Sequence, residues 1–206
     1  MGVSRDRFDQ GITYQQFKDA MTVNRDQLEA NERNLQLTPE EMQPFQSLPG
    51  TVNVLAIAAD WCGDVVANLP ILGRLAQECD KLNLRVFPKD QNMDLMNQYL
   101  NKGLYQSIPV FVFFDDAFKQ LGVFIERSAA VSELREQRRR ALHAEHPEFG
   151  APEGSPNELP DEVRQRLRGA IGQMRIDTKE FADHAVVHEL GEIASRSAET
   201  AQVPSK

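Results

Sequence analysis

The chain is poor in cysteine. Cys62 and Cys79 are the only two in 206 residues, too few for a secreted scaffold held together by disulfides, and that scarcity suits a reducing compartment. Positive charge is also short. Lys and Arg number 23 against 31 Asp and Glu, leaving a net charge of −8. General nucleic-acid binding needs a basic face, so this balance argues against it. No apolar run reaches the length of a membrane span, and residues 1–17 are polar and mixed in charge without a signal-peptide core. The expectation is a cytoplasmic protein that does not engage a membrane. Internal repeats and low-complexity runs are missing as well. What is present, 41% hydrophobic and 26% charged residues, is the composition of a soluble globular chain. Its length fits one domain with extensions or two small domains.

The apolar pattern divides the chain into three parts. In residues 1–50, Tyr14, Phe17, Met21, Leu28 and Leu35 stand among polar residues at helical spacing, with an interruption near Thr22–Asn24. Thr38-Pro39-Glu40-Glu41 has a capping threonine, proline at the first helical position and glutamate at the third, which starts a short helix. Residues 51–146 change character. Val52–Ala58 reads as a buried strand, 65–79 as a helix with Pro70 inside, 84–87 as a strand and 93–100 as a helix ending near Gly103. Val110–Phe114 and 121–125 read as strands joined by a tight turn, and Ser128 or Ser132 caps a helix to about His143. Residues 147–206 begin with a proline- and glycine-rich stretch to residue 160, a linker or an extended surface loop. One helix then carries Val163, Leu167, Ile171 and Met174, and another, capped by Thr178, carries Ala182, Val186, Leu190 and Ile193; the end from Ser195 is expected to fray.

The most informative stretch is Trp61-Cys62-Gly63-Asp64-Val65, between the first strand and the helix after it. A strand-to-helix junction is where the first thiol of a C-x-x-C redox motif sits. The helix N-terminus favours a thiolate at Cys62, whereas Asp60 and Asp64 oppose it, so modest activation is expected. The fourth position is Val65, so the second thiol of a dithiol cycle is missing. Cys79 is a poor substitute: it lies 17 residues on, roughly 25 Å along a helix at about 1.5 Å per residue, and reads as a packing residue.

The strand order, the cysteine at the junction and Ile108-Pro109 before Val-Phe-Val-Phe-Phe together resemble the thioredoxin-like superfamily over about residues 51–142. The helical N-terminal region and the Trp-Cys-Gly-Asp form are most similar to a bacterial branch in which an alanine can replace the second cysteine. The resemblance implies an α/β thioredoxin-like fold with a central mixed sheet, flanked by helical N- and C-terminal extensions. It implies a cis Ile108–Pro109 bond opposite the thiol, with Cys62 catalytic and Trp61, Gly63, Asp64, Ile108 and Pro109 lining a groove for an extended peptide or disulfide-containing protein. It implies no metal and no cofactor, with glutathione or another small thiol as co-substrate. Ala56 and Val86 fall where the family often carries a buried aspartate and its lysine, and both depart from that pattern.

Two functions are compatible with these residues. One is a monothiol thiol–disulfide oxidoreductase of redox homeostasis; the other is a redox-inactive peptide-binding module on the same fold. A cluster-binding dimer of the monothiol glutaredoxin kind fits less well, because the Phe-Ser continuation after Cys-Gly is absent. Trp61 serves either groove or packing. His184 and His188 share a helix face opposite the apolar stripe, and no glutamate follows His184, which fails the zinc-protease pattern. Arg135, Arg138, Arg139 and Arg140 are expected to be solvated or paired with glutamates. Of the two extensions, the N-terminal helices are expected to pack on the core and the C-terminal helices to be the better placed for a homodimer.

Overall fold

The computed structural model describes residues 2–201. The four apolar runs become strands: β1 (Val52–Ala58), β2 (Leu82–Pro88), β3 (Val110–Phe114) and β4 (Gln120–Ile125), in sheet order β2-β1-β3-β4. β1 and β3 are buried at every position, as expected of central strands covered on both faces. β1 runs parallel to β2 and antiparallel to β3, and β3 pairs antiparallel with β4. Helix α5 (Gly63–Glu78) links the two parallel strands, β1 and β2. The sheet is therefore mixed, and the fold is α/β and thioredoxin-like.

The N-terminal region forms α1 (Arg5–Phe8), α2 (Tyr14–Ala20), α3 (Arg25–Asn34) and α4 (Pro39–Gln46). Both α2 and α4 open with a full capping box, Thr13 with Gln16 and Thr38 with Glu41. Each box satisfies two amides that a helix start leaves orphaned. The polar appearance of residues 1–17 conceals an anchor, since Phe8 is completely buried and Ile12 exchanges two backbone hydrogen bonds with Val86 at the edge of β2. Further along, α6 (Met93–Met96) is one turn where the sequence suggests a helix to residue 100. Asn97 and Tyr99 still donate to carbonyls three or four residues back, so the chain keeps turning without a regular helix.

The remaining helices are α7 (Ala129–Glu145), α8 (Asp161–Asp177) and α9 (Lys179–Ala201). The chain divides into two compact units. Among the described residues, one takes in 2–127 and 186–201; the other is Ser128–Ala185. In the first unit Val186, Leu190 and Ile193 of α9 join the main core beside β1 and β3. These stripe residues are buried within the chain, and α9 is helical from Ser195 to Ala201, with the rest of the end expected to fray lying outside the described residues. In the second unit Ser128 caps α7 by accepting from the Val131 amide. Thr178, expected to cap α9 with its side chain, instead donates its hydroxyl to the Met174 carbonyl and closes α8. The linker after α7 is not bare chain. It makes two short 3₁₀ turns, Phe149 is buried, and His143 Nδ1 lies 2.9 Å from the Gly150 carbonyl. The apolar anchor among the prolines and glycines holds this segment down. Arg139 and Arg140 pair with Glu136.

Candidate functional site

β1 ends at Ala58, and four residues turn the chain into α5. Cys62 is the N-cap of that helix, with extended dihedrals (φ −87°, ψ 120°), and its carbonyl accepts from the Val66 amide. The Cys62 amide donates back to Ala59, which closes the turn. The thiol is thus held at the end of the helix where the amides of the first turn lack intrahelical partners. It is half-buried, and Sγ lies 3.5 Å from the carbonyl oxygen of Ile108, to which the thiol donates. The Ile108–Pro109 bond is cis. Sequence positions 62 and 108 therefore meet across the end of the sheet.

The flanking residues separate by exposure. Trp61 is 56% exposed, too open for a residue that simply covers the helix start. Gly63 is exposed, Asp64 is half-buried in the first turn of α5, and Ile108 and Pro109 are buried. Val65 is fully buried, so the position of a resolving thiol is filled by core packing. Ala56 and Val86 are also fully buried and stand opposite each other in the β1–β2 register. The place of an acid–lysine pair is an apolar contact.

Asp60 is not the simple neighbouring carboxylate that its position suggests. Its Oδ2 accepts from the Thr22 amide (2.7 Å), the Thr22 hydroxyl (3.0 Å) and the Val23 amide (3.3 Å), while Asn24 Nδ2 donates to the Asp60 carbonyl (2.9 Å). Burial pushes the Asp60 carboxyl up, but the bonds from Thr22 and Val23 outweigh it and hold the group below the usual carboxylate range. The turn between α2 and α3 is thereby latched to the loop carrying the thiol. The interruption at Thr22–Asn24 is legible in the sequence; its partner 36 to 38 residues away is not.

A second set of contacts holds the proline side, and sequence reasoning missed it altogether. Glu126, at φ 67°, donates its amide to the Pro109 carbonyl (2.7 Å) and accepts from Asn68 Nδ2 of α5 at its own carbonyl (2.8 Å). Its carboxylate accepts from Asn101 Nδ2 (3.1 Å). One residue at the end of β4 so fixes the strand start beside the thiol, the thiol-bearing helix and the loop before Ile108. Nothing in the local sequence marks it.

Beneath the site α5 is braced by the N-terminal helices. Asn31 Nδ2 donates to the Val66 carbonyl (2.8 Å), and the buried Lys18–Glu32 pair (2.9 Å) also takes Gln77 Nε2 and the Tyr14 hydroxyl. Burial and the Glu32 carboxylate push the Tyr14 hydroxyl far above its ordinary range. Among the described residues no cluster of three or more His, Cys, Asp and Glu side chains is arranged to hold a metal ion, and no helix is long and apolar enough to cross a membrane.

A four-stranded mixed sheet, a thiol at the first strand-to-helix junction and a cis proline beside it define the class as a thioredoxin-like α/β protein. A thioredoxin family model matches residues 11–139, and the chain belongs to that family. Among solved structures, the chain is similar to an HIV epitope-scaffold protein at 18% identity and TM-score 0.61, covering 93% of this chain and 97% of that one. It is likewise similar to a Pseudomonas aeruginosa protein of unknown function at 19% identity and TM-score 0.58, covering 91% and 99%. Both likenesses speak to the fold alone. A Fasciola hepatica thioredoxin aligns at 26% identity over 41% of this chain and 77% of its own, with TM-score 0.32. No curated protein matches the chain.

Proposed function

We propose that the protein is a monothiol thiol–disulfide oxidoreductase of the bacterial Trp-Cys-Gly-Asp kind, acting in redox homeostasis in the cytoplasm. The observation that carries this reading is the half-buried Cys62 thiol at the N-terminus of α5, 3.5 Å from the Ile108 carbonyl. The thiolate is the reacting species, and a helix N-terminus stabilises it. On a protein–glutathione mixed disulfide, the Cys62 thiolate attacks the glutathione sulfur. A Cys62–glutathione disulfide forms, the old S–S bond breaks, and the substrate leaves as a thiolate that takes a proton from water. A second glutathione thiolate then attacks the adduct, releasing oxidised glutathione and restoring Cys62. One free glutathione is consumed: its sulfur is oxidised as the substrate sulfur is reduced, the glutathione already in the mixed disulfide leaves with it as the oxidised dimer, and no second protein thiol is needed. Trp61, Gly63 and Asp64 on one side and Ile108–Pro109 on the other form the walls of the groove that receives the substrate chain. Glutathione enters only as co-substrate.

Val65 and the apolar Ala56–Val86 pair favour a second reading, a redox-inactive module that holds an extended peptide in the same groove. Glutathione-dependent reduction of a glutathionylated peptide, monitored through glutathione reductase, separates the two. Turnover above the uncatalysed rate, lost in Cys62→Ser, is expected of the oxidoreductase. A wild-type rate equal to Cys62→Ser defeats it and leaves the binding module.

A further inference from the structure

Next to Trp61 lies a cavity of about 210 Å³ that the thiol chemistry does not use. One wall is Phe17, Ala20 and Met21, from α2 and the residue after it; the opposite wall is Ala59, Trp61 and Pro88, from the ends of β1 and β2. The first wall belongs to the N-terminal extension, and the Asp60–Thr22 latch described above holds it against the thiol loop. The cavity exists because the extension is docked there. Its lining is mainly apolar, and the charged residues in it are Asp60, Lys89 and Asp90. Asp60 and Asp90 both line it; Lys89 Nζ, on a side chain only 12% exposed, lies 3.6 Å from Asp90 Oδ1, while the Asp90 side chain is 69% exposed. The rim therefore turns carboxylate toward solvent, and the residue after Trp61 in the chain is the thiol itself.

We propose that this cavity is a side-chain subsite selecting peptide segments that carry a bulky aliphatic residue beside a basic one, close to the cysteine or turn that faces Cys62. The cavity buries the aliphatic side chain. The basic neighbour meets the acidic rim, where Asp60 is held ionised by its three donors and Asp90 reaches into water. The proposal rests on the groove reading above only in taking an extended chain to lie near the thiol, and it holds for either the oxidoreductase or the binding module. It also gives the extension a purpose beyond packing: without α2 the cavity has no second wall.

Trp61 is the only tryptophan and lines the cavity, so its emission reports occupancy with no turnover required. Full-length Cys62→Ser is titrated with the capped peptide Gly-Lys-Leu-Ser-Ser-Gly and with versions in which Leu becomes Ser or Lys becomes Glu. A saturable shift is expected with the Leu peptide. The Ser version should bind roughly tenfold more weakly or worse, the factor expected for burying a Leu side chain. The Glu version should be weaker by about threefold, as for an exposed ion pair. Ala20→Phe, at an exposed wall position, should abolish the Leu preference while leaving the circular-dichroism melt in place. Should that variant fail to fold, Asp90→Lys at the rim should reverse the Lys-over-Glu preference. Leu and Ser peptides that titrate alike, or a Leu peptide that leaves the emission unchanged, overturn the subsite. Glutathione-coupled turnover alongside such a result leaves the oxidoreductase standing without it. A retained Leu preference with no turnover removes the oxidoreductase and keeps the subsite.

Discussion

Helix α5 carries a cysteine at each end, and the two ends treat the same side chain differently. Both thiols donate to a backbone carbonyl, Cys62 to Ile108 at 3.5 Å and Cys79 to Phe45 at 3.3 Å. Cys62 is half-buried at the end of the helix where the free backbone groups are amides. Cys79 is 6% exposed and follows the last turn, where the free groups are carbonyl oxygens. Its acceptor, Phe45 of α4, is itself fully buried. On the proposed oxidoreductase reading, exchange chemistry belongs to the first end and packing to the second, although the residue type is shared. The lesson is that helix pole and access, more than the presence of sulfur, distinguish the two thiols.

The sharpest way to break this contrast is alkylation of the native protein with iodoacetamide, followed by peptide mass mapping. Cys62 should be modified at least on the order of a hundredfold faster than Cys79, whose reaction waits for an opening that costs several kcal/mol. Comparable rates would remove the distinction between the poles.

Between the two ends, the middle of α5 is fixed by contact with α2. A Cβ on Gly73 would stand 2.3 Å from the Tyr14 ring, and that ring is buried with its hydroxyl bonded to Glu32. It has little freedom to give way. Gly73→Ala should lower stability to urea by about 1–3 kcal/mol, the range for overpacking a filled interior. The usual gain from replacing a helical glycine is too small to offset this. A change below about 0.5 kcal/mol would mean that α2 is not anchored on the thiol helix, and the cavity beside Trp61 would lose its support.

Much of this arrangement is legible in the sequence. Val52–Ala58 and Val110–Phe114 carry uninterrupted apolar runs, so their strands fall where the residues place them. Thr38-Pro39-Glu40-Glu41 signals its helix through purely local chemistry, and the local signal survives in the fold as a full capping box. Cys62 and Pro109 are legible because family resemblance links two short motifs. Contacts between residues with no motif are a different matter. Phe8 hides among charged residues, Asp60 finds Thr22 in a turn whose only visible property is to interrupt a helix, and Glu126 gathers Pro109, Asn68 and Asn101 at the end of a strand. Each depends on elements brought together from 17 or more positions apart, and a single sequence carries no term for that separation. The segment 147–160 shows the same limit: proline and glycine mark where chain direction changes, but a buried Phe149 decides whether the segment is held.

At the Cys62 end, Val65→Cys places a second thiol one helical turn from Cys62. Reduction of insulin with a thioredoxin reductase system should then rise on the order of tenfold over a weak wild-type rate, since the mixed disulfide can be released from within. The gain is limited because Ala56 and Val86 still supply no buried acid or lysine to move the proton. A wild-type rate already matching a dithiol thioredoxin would show that Val65 is no handicap. It would also shift the chemistry away from the monothiol cycle.

The smallest expected effect tests the latch itself. Asp60 is an acid whose folded-state pKa lies below its ordinary value, near 3.9 for an unperturbed aspartate. For such a group the stabilising contribution is present above the unfolded value and is lost as pH falls through the folded one. Asp60→Asn keeps an oxygen for Thr22 but no charge. At pH 7 it should be less stable than wild type by under about 1 kcal/mol, because the site is screened by solvent. The gap should close as pH drops below about 4, since the wild-type carboxylate takes up its proton there and the asparagine has none to gain. Urea midpoints measured between neutral pH and about pH 3 provide the comparison. A difference that stays constant over this range would mean that the charge on Asp60 contributes nothing, and that the turn at Thr22 is held by geometry and the Asn24 bond alone.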